Sequence, residues 1–185
     1  MNRIGIKYGY ININPCWRGF AAGAKKIAIV FLILLCYSCK DEQLTLQKTP
    51  YTGNEIRTDG YFYSYYTNNS NPPEEFIVVF FLYRNGVILS AGAYEKTNFD
   101  ILEKAMVARY ESLQNKKIGW GVFIIKDNRI EYEQRSTSVG GGLPVFKRSY
   151  FIENDTTLRS SYAGTYHFRQ FSPKPDSTAA NKWIN

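Results

Sequence analysis

Residues suited to metal binding or redox chemistry are scarce in this chain of 185 residues. It has a single histidine, His167, and three cysteines, at positions 16, 36 and 39. No cysteine follows Cys39, so a domain formed by the later residues has neither a disulfide nor a thiolate site. One histidine without cysteine excludes the usual nitrogen and sulfur ligand sets of zinc. We therefore expect no metal and no cofactor, and a fold that is stabilised by its hydrophobic core.

Acidic residues are missing from the first 39 positions, which makes the formal net charge of +7 misleading. Five of the 23 basic residues lie in that region, so the remainder carries 18 basic residues against 16 acidic ones. This near balance, without a cluster of Lys and Arg, is not the pattern of a nucleic-acid-binding surface. We expect no nucleic-acid partner.

A hydrophobic run long enough to span a membrane is also missing. The uncharged apolar stretch at 27–37 has eleven residues. As a helix it would extend about 16 Å, against a hydrocarbon core of about 30 Å. Lys25 and Lys26 precede the stretch, and the small residue Ser38 and then Cys39 follow it. This order of basic, apolar and small residues is typical of a secretory signal peptide.

The segment 25–42 resembles the lipobox region of bacterial lipoproteins, with Cys36 where these proteins usually have leucine. Lys40-Asp41-Glu42 resembles the export signal of surface lipoproteins of the Bacteroidota. The resemblance implies cleavage between Ser38 and Cys39, acylation of Cys39, and a lipid-anchored protein of the outer membrane that the triplet directs to the cell surface. Cys36 is the rival acylation site, but it follows the bulky Leu35.

Two further segments, 120–123 and 174–178, are similar to those of small envelope lipoproteins of the Bacteroidota. This similarity covers few residues and implies no activity. The lipobox resemblance divides the chain into a signal peptide at 1–38, with an unusually long n-region, and an acylated protein that begins at Cys39.

The acylated part divides further by composition. Residues 39–55 are polar and contain Pro50 and Gly53, which predicts a lipid-anchored tether. A β-rich domain is predicted at 56–171, and a flexible C-terminal tail at 172–185, where prolines prevent a further strand.

Fifteen Tyr and twelve Phe indicate β-structure, because aromatic side chains suit a half-buried pleated surface. Three predicted hairpins pair apolar or alternating segments across short polar turns. They join 76–83 to 87–94 across Asn85-Gly86, 119–125 to 129–134 across Asp127-Asn128, and 145–153 to 156–162 across Asn154-Asp155. At Asn85-Gly86 we expect positive φ angles at both turn residues.

A first strand at 56–66, a last strand at 165–171 and one helix at 98–114, capped by Thr97 or Asn98, complete the set of elements. This pattern predicts a mainly β fold, an antiparallel meander of about eight strands in a lipocalin-like or half-open barrel, with one α-helix packed on it. A β-sandwich is the alternative. Segment 76–83 is apolar on both faces, so it should lie inside the sheet, with the helix covering one face.

Few side chains are candidates for a functional site. Tyr61, Tyr63 and Tyr65 share one strand face, where they could contact a sugar or a protein partner, or line the core. Glu131 and Glu133 also share a face. This pair is either part of a solvated strand surface or the two acids of a glycosidase. For His167 a structural or surface role outweighs a catalytic one, because the chain has no Gly-x-Ser-x-Gly motif.

These observations favour a lipid-anchored envelope lipoprotein whose domain binds a ligand or partner, an envelope protein or glycan, without being an enzyme. An envelope glycan hydrolase is one alternative, and a structural accessory of an outer-membrane complex is another. A deep pocket with convergent carboxylates would favour the hydrolase, a flat aromatic patch a macromolecular partner, and a closed apolar cavity a lipid-like ligand.

Overall fold

Eight antiparallel strands pair in chain order, and the last strand pairs with the first to close a barrel. The computed structural model describes residues 41–138, 142–162 and 164–184. The strands are β1 (Gly60–Thr67), β2 (Glu75–Leu82), β3 (Val87–Glu95), β4 (Trp120–Lys126), β5 (Arg129–Arg135), β6 (Val145–Asn154), β7 (Thr157–Ser160) and β8 (Gly164–Gln170). Closure runs from the pair Gly60–Gln170 to the pair Tyr63–His167. The predicted lipocalin-like meander is confirmed, and the closure rules out the β-sandwich.

The predicted helix lies between β3 and β4, as two segments that meet at Arg109. They are α1 (Phe99–Ala108) and α2 (Tyr110–Gln114). Asn98 is the N-cap, and its side-chain oxygen accepts a hydrogen bond of 2.9 Å from Ile101 N. The helix turns Leu102 and Met106 into the core, whereas Ile101 is 54% exposed.

Two hydrophobic clusters lie on opposite sides of the barrel wall. All eight strands contribute to the inner cluster, whose buried members are Ile56, Phe62, Phe80, Leu82, Ile88, Phe123, Ile130, Tyr132, Tyr150, Ile152, Leu158 and Tyr166. The outer cluster joins β1–β4 to the helix, to the segment before β1 and to the segment after β8. Its buried members are Tyr61, Ile77, Val79, Phe81, Tyr83, Val87, Leu89, Ala91, Leu102, Met106, Trp120, Val122, Ala180 and Ile184.

Strand β2 contributes to both clusters, as its apolar sequence predicts. It pairs with β1 on one edge and with β3 on the other. Phe80 and Leu82 enter the barrel, while Val79 and Phe81 pack outside it, in the same cluster as Leu102 of α1. Burial on both faces explains why this strand does not alternate between apolar and polar residues.

The turns differ in geometry. Asp127 and Asn128 have φ angles of 49° and 57°, as a two-residue hairpin turn requires. At the β2–β3 turn, Gly86 has a φ of 79° and Asn85 has no positive φ, so the prediction for Asn85 was wrong. Tyr83 N donates to Val87 O and Gly86 N donates to Tyr83 O, both at 3.0 Å. Three residues therefore form the loop, and the last one alone takes the left-handed conformation.

Both terminal segments pack on the barrel, where the sequence predicted a tether and a flexible tail. Tyr51 N donates to Arg84 O at 2.8 Å, and Ile56 is buried in the inner cluster. On the C-terminal side Lys174 Nζ donates to Leu82 O at 2.8 Å. A 3-10 helix (Ser177–Lys182) follows, and it buries Ala180 in the outer cluster.

Candidate functional site

Aromatic rings fill the interior of the barrel. Phe62 stacks on Phe80 at 5.5 Å between ring centroids, Phe80 on Tyr150 at 5.3 Å, and Tyr150 on Tyr132 at 5.2 Å. The hydroxyls of Tyr132 and Tyr150 share a hydrogen bond of 2.9 Å. Tyr166 packs edge-on against Phe80 and Tyr150. These rings occupy the space in which a lipocalin-like barrel would hold a small apolar ligand.

The three tyrosines of β1 run from the core to the surface. Tyr61 is fully buried, and its hydroxyl donates to Glu103 at 3.1 Å. Tyr63 is half-buried, with its ring 4.9 Å from that of Phe99 in α1. Tyr65 is 51% exposed. Of the predicted contact residues, Tyr65 is therefore the one whose ring is open to a partner, whereas Tyr61 belongs to the core.

Tyr66, which the sequence did not single out, lies beside Tyr65 and is 55% exposed. Lys96 Nζ lies 5.5 Å from the centroid of the Tyr65 ring and forms a 2.8 Å ion pair with Glu75. The rings of Tyr65 and Tyr66 are both exposed near the end of β1, and because consecutive strand residues point to opposite faces, they lie on opposite sides of the strand. Exposed aromatic rings of this kind can stack on a sugar or anchor a protein contact.

His167 lies on the exposed face of β8, opposite Tyr63 of β1. Its ring centroid is 6.0 Å from that of Tyr63. In the part of the chain that the structure describes, no three His, Cys, Asp or Glu side chains are placed to hold a metal ion. This position suits the predicted surface role of the histidine.

Glu131 and Glu133 share a face of β5 but have different environments. Glu131 is exposed, whereas the side chain of Glu133 is only 3% exposed. The Glu133 carboxylate accepts hydrogen bonds from Thr45 N, from Thr45 Oγ1 and, at 2.9 Å, from Leu46 N. It also forms an ion pair of 2.8 Å with Lys147. Glu133 thus fastens the N-terminal segment to the barrel.

The electrostatics of Glu133 are unsuited to general-acid catalysis. Burial alone would raise its pKa, but the hydrogen bonds from Lys147, Thr45 and Leu46 outweigh burial and lower the pKa to about 2. A glycosidase acid needs a raised pKa and access to the glycosidic oxygen. Glu133 has neither, so the geometry does not support a hydrolase built on Glu131 and Glu133.

A cleft of about 470 Å³ lies where the segment that begins at Asp41 and the C-terminal segment meet the barrel. Residues 41–46 form one wall and residues 182–184 another, with Lys117 and Arg135 between them. We call it the terminal cleft. Asp41 forms a 2.6 Å ion pair with Lys117 inside it.

Arg135 is the most buried charged residue of the terminal cleft, at 7% exposure. Its Nη1 donates to Trp183 O at 2.9 Å, while Nε has no hydrogen-bond partner in the part of the chain that the structure describes. Burial lowers the pKa of Arg135, and the charge of Asp41 opposes this shift. No sequence signal indicates this site, because Arg135 continues the polar alternation of Glu131 and Glu133, which predicts a solvated side chain.

The predicted cleavage and acylation residues, Ser38 and Cys39, lie outside the described residues. In the part that is described, no helix is both long and apolar enough to cross a membrane. Comparison of the chain with protein-family models, with curated proteins and with solved structures finds no match.

Proposed function

We propose that this chain is a lipid-anchored lipoprotein of the cell envelope whose barrel is a non-enzymatic binding or interaction domain. The observation that carries the proposal is the docking of the segment that follows Cys39. Asp41 pairs with Lys117, Glu42 accepts a 2.7 Å hydrogen bond from Val145 N, and Thr45 binds Glu133. The chain that leads away from the acylated residue is therefore part of the folded domain.

This docking limits how far the barrel can lie from the bilayer. Two residues span about 7 Å at most when fully extended. With acyl chains on Cys39, the barrel surface around Asp41 and Lys117 would be held against the lipid headgroups. One acyl chain binds a membrane marginally, and two or more anchor a protein stably.

Metabolic labelling with a fatty acid tests the anchor. We expect the label on the wild-type chain and on Cys36→Ala, and its loss from Cys39→Ala, which should also leave the membrane fraction. Label and membrane association retained by Cys39→Ala would overturn the proposal. Because Cys36 lies three residues away in the same segment, it is a matched control.

Protease treatment of intact cells tests the surface location that the Lys40-Asp41-Glu42 triplet implies. Replacing the triplet with alanine also removes the Asp41–Lys117 pair, so Lys117→Met is the control that breaks the pair and keeps the triplet. We expect the triplet variant to lose protease accessibility and Lys117→Met to keep it. Equal accessibility of all three proteins would remove the triplet from the proposal.

An interaction role is supported by the filled barrel interior, by the engagement of Glu133 with residues 45 and 46, and by the exposed rings of Tyr65 and Tyr66 on the two faces of β1. Co-purification from crosslinked and solubilised membranes tests this role. We expect Tyr65→Ser with Tyr66→Ser to lose an envelope protein or glycan that the wild type retains. Tyr162→Ser, which removes a ring that is 89% exposed at another site, should retain it. Identical recovery from all three proteins would exclude the Tyr65 and Tyr66 rings as the contact.

A further inference from the structure

The terminal cleft holds the buried guanidinium of Arg135, which forms no ion pair with the described residues. Arg135 is 93% buried, and it forms none of the ion pairs found among the described residues. Charged side chains are almost never buried in proteins unless they are paired, because the loss of hydration is costly. An anion that binds in the cleft would supply the missing partner.

A second donor in the same cleft lacks an acceptor. Trp183 Nε1 and Arg135 Nε are both buried, and neither has a hydrogen-bond partner among the described residues. More than nine in ten buried polar groups are normally hydrogen-bonded, so two orphaned donors on residues that line one cleft require an explanation. The acids nearby are engaged elsewhere, Asp41 with Lys117 and Glu42 with Val145 N.

The charges of the cleft also favour an anion. Lys117, Arg135 and Lys182 line it against two acids, Asp41 and Glu42. Guanidinium groups bind phosphate oxygens through paired N–H donors, which makes arginine the preferred residue for this recognition. The volume of about 470 Å³ accommodates a phosphate together with a group attached to it.

We propose that the terminal cleft binds a phosphate group, with Arg135 as the principal contact and the Trp183 indole as a second donor. The residues of this site all belong to the barrel domain, so phosphate binding does not depend on the lipid anchor. Two sources share this chemistry, a phospholipid headgroup and a soluble phosphate or phosphate ester. The terminal cleft is lined by Asp41, two residues after Cys39, so a headgroup could reach it in an anchored protein.

Isothermal titration of the full chain, in micelles of an uncharged detergent, with inorganic phosphate and with glycerol 3-phosphate tests the proposal. Arg135→Gln should weaken binding about tenfold or more, because a charge-assisted bidentate contact is lost. The matched control is Arg129→Gln, which removes the same charge from an exposed position of the same strand and should leave the affinity unchanged. Equal loss in both variants would mean a general charge effect and would overturn the site.

Trp183→Phe tests the site without removing a charge. This change keeps an aromatic ring and deletes the orphaned N–H, so we expect a loss of about threefold to tenfold. It also keeps the proposal testable if Arg135→Gln does not fold, which a thermal unfolding curve of each variant would reveal. The proposal would be refuted if the wild type showed no saturable binding of either phosphate compound. It would also be refuted if Trp183→Phe and Arg135→Gln each bound phosphate with wild-type affinity.

A short-chain phosphatidylglycerol below its critical micelle concentration separates the two sources. Tighter binding of this lipid than of glycerol 3-phosphate, with the same dependence on Arg135, would identify a headgroup site. Equal or weaker binding would identify a site for soluble phosphate compounds. The labelling of Cys39 is a separate measurement, so the phosphate site and the lipid anchor can fail independently.

Discussion

Glu133 and Thr45 lie 88 positions apart in the chain and are joined by two hydrogen bonds. One carboxylate oxygen of Glu133 accepts from Thr45 N and the other from Thr45 Oγ1. The hydrogen bond from Thr45 N fixes the position of the segment around Thr45, and the bond from Thr45 Oγ1 fixes its orientation. Through this pair the segment that follows the predicted acylation site becomes part of the barrel domain.

Glu133→Gln should destabilise the domain by about 2 kcal/mol, since a neutral amide replaces a carboxylate that binds two backbone donors and a lysine. Denaturant unfolding of a soluble chain of residues 40–185 measures the effect. Glu131→Gln is the matched control, because it makes the same change two residues away on an exposed side chain, and it should cost less than about 0.5 kcal/mol. Equal midpoints for the two variants would contradict the role assigned to Glu133.

The same carboxylate predicts a pH dependence. Its pKa is about 2 in the folded domain against 4.5 for an ordinary Glu side chain, so the folded state favours the ionised form. This contribution to the free energy of unfolding is fully present above pH 4.5 and is lost as the pH falls from there towards 2. The stability difference between the wild type and Glu133→Gln should therefore narrow over that range.

Unfolding free energies of the two proteins, measured at intervals between pH 6 and pH 2 or until either unfolds, test this expectation. Other acids titrate in the same range, but they are common to both proteins and cancel in the difference. A difference that stayed constant down to the lowest accessible pH would show that the Glu133 pKa is not lowered by folding.

The sequence predicted the strands because their pairing signals are local. Asp127-Asn128 adopts the two-residue turn that its residue types favour, and β2 lies between two strands as its uninterrupted apolar run requires. The helix begins after Asn98, the residue whose side chain can cap it. In each case a few residues that are close in the sequence determine the local structure.

The terminal segments could not be predicted in this way, because distant residues determine their positions. The composition of residues 41–46 predicts a polar linker. The carboxylate that binds them is that of Glu133, which lies on β5. The burial of Arg135 depends likewise on Trp183, which is 48 positions away. Trp183 lies in the segment that the sequence predicts to be a flexible tail. Alternation along β5 shows that Arg135 shares a face with Glu133, but it does not show what covers that face.

Gly86 should tolerate a side chain less well than Gly164. Both have left-handed backbone angles, with φ of 79° and 74°, so alanine strains both by about 1 kcal/mol. A Cβ atom on Gly86 would lie 2.1 Å from Thr49 O, while one on Gly164 would have no neighbour within 4 Å. We therefore expect Gly86→Ala to cost at least about 1 kcal/mol more than Gly164→Ala.

Denaturant midpoints at unchanged slope compare these two variants, and the backbone strain that they share cancels in the difference. The excess cost of Gly86→Ala then reports the close approach of the N-terminal segment to the β2–β3 turn. Equal midpoints would mean that residues near Thr49 move away from the barrel at little cost, and that the segment is docked less firmly than the contacts of Glu133 indicate.

Phe80→Ala should be the most destabilising of these changes, at about 3–5 kcal/mol, because it leaves a cavity in the ring stack of the barrel interior. The Phe80 ring lies between Phe62 and Tyr150 and is 4% exposed. Phe151→Ala is the matched control on the outer face, where the ring is 37% exposed and packs against Arg129 at 4.0 Å. Its loss should cost about 1 kcal/mol, the worth of an exposed cation–π contact. Equal shifts of the denaturant midpoint in the two variants would mean that the barrel interior is loosely packed. A loosely packed interior could hold a small apolar ligand, which the stacked rings otherwise exclude.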